Sequence, residues 1–228
     1  AKGTPIQNIL EAMQPGERVS ALVALQDVTS AEHLVMATRK GFFKKTALAE
    51  YATVRRAGLI AIVLRKGDEL AWVAPCGEKD RIVLGTRKGK AIVFQASDAR
   101  PLGRQTQGVI GVKLGKGDGV VGMGIVRPRS QVLSVTKNGF GKRTAEGEFP
   151  TQGRGGQGVL LAALSAKTGD IAGIQVVDET TQEILLAYPV AQCDFADDPS
   201  GIGRRRGGRG SAAGQGLHAR GVGLAADE

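Results

Sequence analysis

Short apolar segments recur along the chain, and each of them ends at a basic turn that contains glycine. The segments HLVMATR (33–39), RIVLGTR (81–87) and QVLSVTK (131–137) are rich in branched aliphatic residues. Such runs, bounded by glycine turns and followed by a second run, are typical of the two arms of a β-hairpin. The pattern therefore predicts three β-hairpins.

A second pair of apolar segments follows each of the first two hairpins. LIAIVL (59–64) precedes ELAWVAP (69–75) across an RKGD turn, and VIGVKL (109–114) precedes GVVGMGIV (119–126) across a GKGD turn. Each unit is therefore predicted to hold about four strands, the second pair formed across that turn. Long helical periodicity is absent, and only ALAEYATVRR (47–56) could form a helical turn.

Two independent markers repeat with a period of about fifty residues. One is the glycine of the basic turn, and the other is a glycine followed by an acidic residue. Four strands repeated at this period indicate an all-β fold, a β-propeller or β-pinwheel whose blades bury their faces on each other. The turn glycines are 48 and 50 residues apart and the glycine-acid pairs 51, 50 and 52 apart; they are Gly41, Gly89 and Gly139, and Gly16, Gly67, Gly117 and Gly169.

The repeat divides the chain into blades and leaves the array incomplete at both ends. Because the chain begins at Ala1, without a Met and inside a blade, we expect it to be a piece of a longer protein. Its C-terminal part is rich in Gly, Ala and Arg with few large apolar groups, which predicts disorder. The predicted parts are the second half of a blade at 1–25, whole blades at 26–77, 78–128 and 129–178, the start of a further blade at 179–194 and a disordered basic tail at 195–228.

The charge balance indicates a polyanionic partner. The net charge is +9 and the pI about 9.8, while aromatic residues make up only 4%. Few aromatics argue against single strands, whose bases stack on aromatic rings, and favour a duplex held by its backbone. The two cysteines cannot form a disulfide framework or a cysteine-rich zinc site, which indicates a cytosolic protein. No apolar run reaches 18 residues and no signal-like start is present, so we expect no membrane partner. We expect no metal site, because two cysteines and two scattered histidines supply no metal cluster.

The basic turns are the candidate contacts to duplex DNA. Sequence-independent binding acts mainly through phosphates, which lysine and arginine side chains on exposed turns can reach. Because blades are related by rotation, equivalent turns should lie along one rim. The alternative is that they are solvated hairpin ends that discourage aggregation of strand edges. The candidate residues are Arg39, Lys40, Lys44 and Lys45 in the first hairpin, Arg87, Lys88 and Lys90 in the second, and Lys137, Lys142 and Arg143 in the third.

Several motifs, taken in their order along the chain, resemble those of a known family. GRQTQGVIGVKL (103–114) is similar to an inter-blade linker, AKGTPIQNIL (1–10) to the segment after a first blade, and ATRKG, GTRKG and VTKNG to blade motifs. Together they resemble the C-terminal DNA-wrapping β-pinwheel domain of bacterial DNA gyrase A. The resemblance implies sequence-independent binding and wrapping of duplex DNA, in the bacterial cytoplasm and associated with the nucleoid.

That family carries a glycine-rich basic box required for wrapping, Gln-Arg-Arg-Gly-Gly-Lys-Gly, and QGRGGQG at 152–158 resembles a degenerate copy of it. The resemblance implies a DNA contact for its arginine; the alternative is a flexible inter-blade linker whose glycines serve backbone geometry. A second near match, RRRGGRG, lies in the tail and is predicted to tether DNA electrostatically through Arg204, Arg205, Arg206 and Arg209. In the first copy Gln152, Arg154, Gly155, Gly156 and Gly158 match, whereas Gly153 replaces an arginine and Gln157 replaces the lysine.

No constellation for catalysis is visible in the sequence. Two scattered histidines and two distant cysteines supply no acid-base pair, nucleophile or metal cluster. The resemblance implies a non-catalytic part of a type II topoisomerase that introduces negative supercoils, with the rest of gyrase A and with gyrase B as partners. ATP and Mg would be cofactors of that holoenzyme and none is expected in this chain. The alternatives are the corresponding domain of topoisomerase IV and a propeller scaffold that binds an acidic protein.

Overall fold

The computed structural model describes residues 32–52 and 58–178, the separate positions 3, 19–21, 23 and 181, and the backbone of strands at 184–186 and 219–221. The chain divides into two compact units, residues 1–178 and 179–228. The described strands of the first unit are β1 (His33–Thr38), β2 (Phe42–Ala47), β3 (Leu70–Cys76), β4 (Arg81–Thr86), β5 (Lys90–Gln95), β6 (Val109–Ile110), β7 (Val120–Val126), β8 (Gln131–Thr136), β9 (Gly141–Ala145), β10 (Val159–Leu160) and β11 (Ile171–Val177).

The second unit contributes two short parallel strands, β12 (Ile184–Leu186) and β13 (Ala219–Gly221). Apart from their backbone and position 181, the predicted blade start at 179–194 and the predicted tail lie outside the described residues. The four tail arginines, Arg204, Arg205, Arg206 and Arg209, lie outside them as well, as does most of the half blade predicted at 1–25.

The three predicted β-hairpins are confirmed. β1 pairs antiparallel with β2, β4 with β5, and β8 with β9, in the same register each time. At each turn the glycine amide donates to the carbonyl of the threonine three residues earlier, and the glycine has a φ of 82 to 85°. A turn closed by a residue in the left-handed region matches the right-handed strand twist, which explains the recurring Thr-x-x-Gly.

The threonine also holds the turn through its side chain. Thr38 Oγ1 accepts from the amide of Phe42, Thr86 Oγ1 from Lys90, and Thr136 Oγ1 from Phe140, at 3.1 to 3.3 Å. The three threonines are buried, so these bonds satisfy hydroxyl groups that water does not reach. The two residues between threonine and glycine are thereby turned outward, and all of them except Asn138 are basic.

The pairing predicted for the second two segments of each unit is wrong. β3 and β7 form as expected, but each joins the first strand of its own hairpin. The segment 59–64 forms no strand, and 109–114 forms only the two-residue β6, which pairs with β2 of the preceding blade. β10 pairs with β5 in the same way. The fourth strand of a blade therefore comes from the following repeat, and the sheet orders are β3-β1-β2-β6, β10-β5-β4-β7 and β11-β8-β9.

The middle sheet is buried on both faces. Along β4, Ile82 and Leu84 belong to a core shared with the first sheet, and Val83 belongs to a second core shared with the third. Phe43 and Phe94 meet edge to face in the first core, with ring centroids 5.1 Å apart. Each such buried aliphatic or aromatic side chain contributes roughly 1.5–3 kcal/mol, so the shared cores hold the blades together.

The third sheet has three strands in the described part of the chain. Nothing lies within 4 Å of a Cβ built at Gly139, whereas one built at Gly89 would meet the carbonyl oxygen of Ala162 at 2.5 Å. Phe140 is 42% exposed beside it. Among the described residues, therefore, the outer edge of β9 lacks the strand that β6 and β10 supply to the other two blades.

A short 3-10 turn follows the second strand of each hairpin, at Leu48–Tyr51, Ala96–Asp98 and Glu146–Glu148. The first confirms the helical turn expected in ALAEYATVRR. No helix in the described part has the length and apolar character that a membrane span requires.

Candidate nucleic-acid interface

The basic turns of the three blades are joined in a continuous series of backbone hydrogen bonds. The Arg39 carbonyl accepts from the Val120 amide at 2.9 Å, and the Arg87 amide donates to the adjacent Gly119 carbonyl at 2.8 Å. The same arrangement recurs one blade further on: the Arg87 carbonyl accepts from Ile171, and the Lys137 amide donates to Asp170. Neighbouring turns are thus two strand spacings, about 10 Å, apart. We call turn positions 39–40, 87–88 and 137–138 the basic rim.

The glycine-acid marker braces the turns of the first two blades. Asp68 Oδ1 accepts from the Lys40 amide at 2.9 Å, and Asp118 Oδ1 accepts from the Lys88 amide at 3.0 Å. In the third blade the turn residue Asn138 uses its own side-chain amide to donate to the Lys167 carbonyl at 2.9 Å. The second sequence marker therefore orders the backbone of the first, which leaves the basic side chains in solvent.

Two rim cations pair with rim carboxylates. Arg39 Nε lies 2.9 Å from Glu69 Oε2, and Lys88 Nζ lies 3.0 Å from Asp170 Oδ1 in the next blade. The hydrogen bond from Lys88 is the main reason that the pKa of the Asp170 carboxyl is below its usual value. Such surface pairs are weak, so a phosphate can replace the carboxylate.

Lys44 and Lys45 differ from the expectation of exposed turn cations, because both are fully buried in β2. Lys44 Nζ donates to the backbone carbonyls of Ala61, Arg104 and Thr106. Lys45 Nζ donates to Glu78 Oε2 at 2.9 Å. Both side chains therefore bond groups within the first blade and do not face a ligand. We call the three bonds from Lys44 to backbone carbonyls the Lys44 clamp.

The Lys44 clamp should make stability depend on alkaline pH. Burial, with the nearby Arg104 charge, lowers the pKa of Lys44 from 10.5 to about 8. Between these values the unfolded chain binds more protons than the folded one, so the free energy of unfolding rises with pH. We expect the free energy of unfolding of the unsubstituted chain, relative to that of Lys44→Met, to rise by about 2 kcal/mol from pH 7.5 to 9.5. Urea unfolding at both pH values measures it; a constant difference would contradict the lowered pKa.

The third hairpin carries cations at the positions of this clamp. Lys142 pairs with Ser134 as Lys44 pairs with Met36, and Arg143 follows it. Lys142 is exposed and Arg143 is half-buried. Lys142 therefore differs from Lys44 in having, among the described residues, no covering segment over its strand.

The glycine box at 152–158 connects the second and third blades. Arg154 Nε donates to the Asp98 carbonyl at 3.0 Å and its Nη1 to Ile110 at 3.4 Å. The backbone of the box adds bonds from Gln152 to Val93, from Gly155 to Gly111 and from Lys113 to Gly156. Gly153 is exposed, Gly158 packs on the backbone of Ala91, and Gln157 lies near Lys90.

These contacts favour the inter-blade role of the box. The DNA contact predicted for Arg154 stays a prediction: the residue is exposed, but its guanidinium already donates to two carbonyls.

Two basic residues near the rim were missed in the sequence. Lys113 and Lys116 lie between β6 and β7, and with Lys88 and Lys90 they line a cleft of about 200 Å³. The available signal was the KLGKGD segment itself, in which lysines flank the turn glycines. Its apolar pattern predicted only a strand and a turn.

One group of potential metal ligands occurs among the described residues, formed by Glu32, His33 and Glu78. The hydrogen bond from Lys45 holds the pKa of the Glu78 carboxyl below its usual value. Lys45 therefore already supplies a positive charge to this group, and the cluster is explained as part of the first blade's own ion pairing.

Three hairpin-based sheets of one topology, with strands supplied between neighbours and shared cores, define the class of β-propeller proteins. The family model described as DNA gyrase C-terminal domain, beta-propeller, matches residues 32–76, 80–127 and 130–178. The chain belongs to this family.

Known relatives agree with that assignment. The DNA gyrase A protein of Deinococcus deserti is 42% identical over 191 residues, which is 82% of this chain and 24% of the relative. Its counterpart in Mycolicibacterium smegmatis is 38% identical over 184 residues, 80% of this chain and 22% of the relative. The chain thus spans about a quarter of the length of these curated relatives.

Two solved structures are also similar. The C-terminal domain of DNA gyrase A superimposes with a TM-score of 0.70 at 26% identity, over 78% of this chain and 60% of that one. The C-terminal domain of DNA topoisomerase IV gives a TM-score of 0.70 at 26% identity, over 77% and 55%.

Proposed function

We propose that this chain binds duplex DNA without sequence preference along the basic rim and bends it. It would do so as part of a DNA gyrase A protein. The observation that carries the proposal is the hydrogen-bonded series of basic turns, which sets cations from successive blades side by side. A duplex laid along them would meet cations about every 10 Å, close to three base-pair rises of 3.4 Å.

The number of contacts required supports a rim of several blades. Bending a 20–30 base-pair site by 40 to 90° costs about 1–6 kcal/mol. A single exposed turn with two cations cannot offset that cost together with the lost freedom of binding. Cations spread over successive blades can, because each additional phosphate contact releases further counterions.

The family assignment supplies the larger setting of the proposal. The relatives are DNA gyrase A proteins, and the chain would act with the remainder of such a protein and with gyrase B. DNA held on the rim would present a crossing segment to the holoenzyme, which would introduce negative supercoils in the bacterial cytoplasm. ATP and Mg would serve the holoenzyme, and this chain would contribute DNA binding and no catalytic group.

Energy transfer across an end-labelled duplex of about 30 base pairs tests the proposal. We expect the chain to bring the two ends closer, and the triple variant Lys40→Gln, Lys88→Gln, Lys137→Gln to lose affinity on the order of 100-fold at about 0.1 M salt. The matched control is Lys79→Gln, Arg100→Gln, Arg127→Gln, which removes three exposed charges at the opposite ends of the hairpins. The control should bind as the unsubstituted chain does.

The outcomes separate the alternatives. Binding without approach of the ends would favour a topoisomerase IV type of domain, which the equal TM-score keeps as second candidate. Equal losses in both triple variants would overturn the rim as the binding surface. Absence of binding at low salt would overturn the DNA proposal and favour a protein-binding scaffold.

A further inference from the structure

The second blade has a basic cleft beside the rim. Lys88 and Lys90 line it from the hairpin and Lys113 and Lys116 from the segment before β7, and Asp118 and Gln157 are among its other lining residues. We call this the lysine cleft. Its volume of about 200 Å³ has room for a tetrahedral anion with several waters, since a water takes about 30 Å³.

Neighbouring groups leave the cleft with an excess of positive charge. Asp118 is the acidic residue of its lining, and its Oδ1 already accepts from the amides of Lys88 and Gly119. Lys88 pairs with Asp170, and Lys90 Nζ lies 3.4 Å from the neutral Gln157 Oε1. A bound anion would therefore meet at least two lysines, Lys113 and Lys116, besides Lys90.

The glycine box fixes one wall of the lysine cleft. The Lys113 amide donates to the Gly156 carbonyl at 2.8 Å, and Gln157 follows directly in the cleft lining. The lysine side chain is exposed while its backbone is held by the third repeat. The cleft is thus a built inter-blade feature rather than a pair of lysines on a free loop.

At the corresponding places in the first and third blades, an aromatic ring lies beside a cation. Lys90 corresponds to Phe42 and Phe140, counted from the turn glycines. The guanidinium of Arg65 lies 4.0 Å from the Phe42 ring centroid, and Lys167 Nζ lies 5.8 Å from that of Phe140. The second blade therefore differs from the other two in having a lysine at this position, where its neighbours have a ring beside a cation.

We propose that the lysine cleft binds one backbone phosphodiester of the duplex and anchors it at the second blade. This inference rests on the proposed DNA binding and adds to it a defined contact point. Phosphates contacted by lysine position a duplex without reading its sequence, so the cleft would set where DNA begins to follow the rim. Because free phosphate has the same anionic oxygens as a backbone phosphodiester, the test must compare the duplex with inorganic phosphate.

The decisive experiment compares two double variants in duplex titrations at several salt concentrations. Lys113→Gln with Lys116→Gln should weaken binding about tenfold or more at about 0.1 M salt and flatten the log-log salt slope by roughly 1 to 2. Lys79→Gln with Arg100→Gln removes the same charge from the opposite end and should change affinity less than about twofold. If the unsubstituted chain binds and both variants weaken it equally, the cleft is overturned while the DNA proposal stands.

Lysine acylation read by mass spectrometry locates the contact independently of affinity. The duplex should protect Lys113 and Lys116 but not Lys79, and inorganic phosphate at the same ionic strength should not protect them. Equal protection by inorganic phosphate would make the cleft a small-anion site and overturn the backbone anchor. If the unsubstituted chain binds no duplex, the DNA proposal fails and the anchor fails with it.

Discussion

Affinity for a duplex of random sequence is expected to fall about 10³ to 10⁵ fold as the salt concentration rises from about 50 to 200 mM. The rim and the lysine cleft together present cations for roughly six to ten phosphates, and each phosphate neutralised releases condensed counterions. The release is less favourable when the bulk salt concentration is higher. An interface built from lysine and arginine on braced turns, with few aromatic residues, has little else to hold DNA.

Fluorescence anisotropy with a labelled duplex at four or five salt concentrations measures this dependence. The slope of log K against log salt should be about −5 to −9. The triple variant of Lys40, Lys88 and Lys137 should lower its magnitude by up to about 3, because three phosphate contacts are lost. A shallow slope of about −1 to −2 in the unsubstituted chain would mean that one turn at most touches DNA, and the rim proposal would fail.

Two of the rim cations are partly neutralised by carboxylates, and this pairing should weaken DNA binding. Arg39 is bound to Glu69 and Lys88 to Asp170. If phosphate replaces these carboxylates, the released Glu69 and Asp170 remain near the duplex and repel it. The rim is therefore expected to bind DNA more weakly than its number of cations alone would predict.

The hairpins could be predicted because their determinants are local. Each needs a branched aliphatic run, a threonine and a glycine of positive φ within about ten residues, and all three repeats keep them. The exchanged strand could not be predicted, because VIGVKL has the same apolar pattern whether it pairs with β7 or with β2 of the preceding blade. Only the two-residue β6 actually pairs, and its partner is decided by inter-blade packing.

The site residues likewise could be predicted where their position depends on local sequence, and could not where it depends on distant contacts. Arg39, Lys40, Arg87, Lys88 and Lys137 were predicted on exposed turns, and the structure places them there because turn geometry is local. Lys44 and Lys45 were misplaced because their burial depends on carbonyls 17 to 62 residues away and on Glu78. Lys113 and Lys116 were missed for the converse reason, since the cleft exists only when their segment is packed against the second hairpin and Gln157 of the following repeat.

Replacing Gly158 by alanine should destabilise the chain by roughly 4 kcal/mol or more. Gly158 has a φ of +72°, and a Cβ there would lie 2.3 Å from the Ala91 carbonyl oxygen and 2.6 Å from its carbon. Both atoms are backbone of β5, so no side chain can move aside. The clash would push β10 away from β5 and expose the core between the second and third sheets.

Gly153→Ala is the matched control within the same glycine box. Its φ is outside the left-handed region and nothing lies within 4 Å of the built Cβ, so its free energy of unfolding in urea should change by less than about 0.5 kcal/mol. If both variants unfolded alike, Gly158 would have no special part in joining the blades. A large loss for Gly158→Ala alone would show that the last glycine of the box holds two blades together. That junction also fixes the backbone of Lys113, so this variant should lose duplex affinity along with stability, whereas Gly153→Ala should keep both.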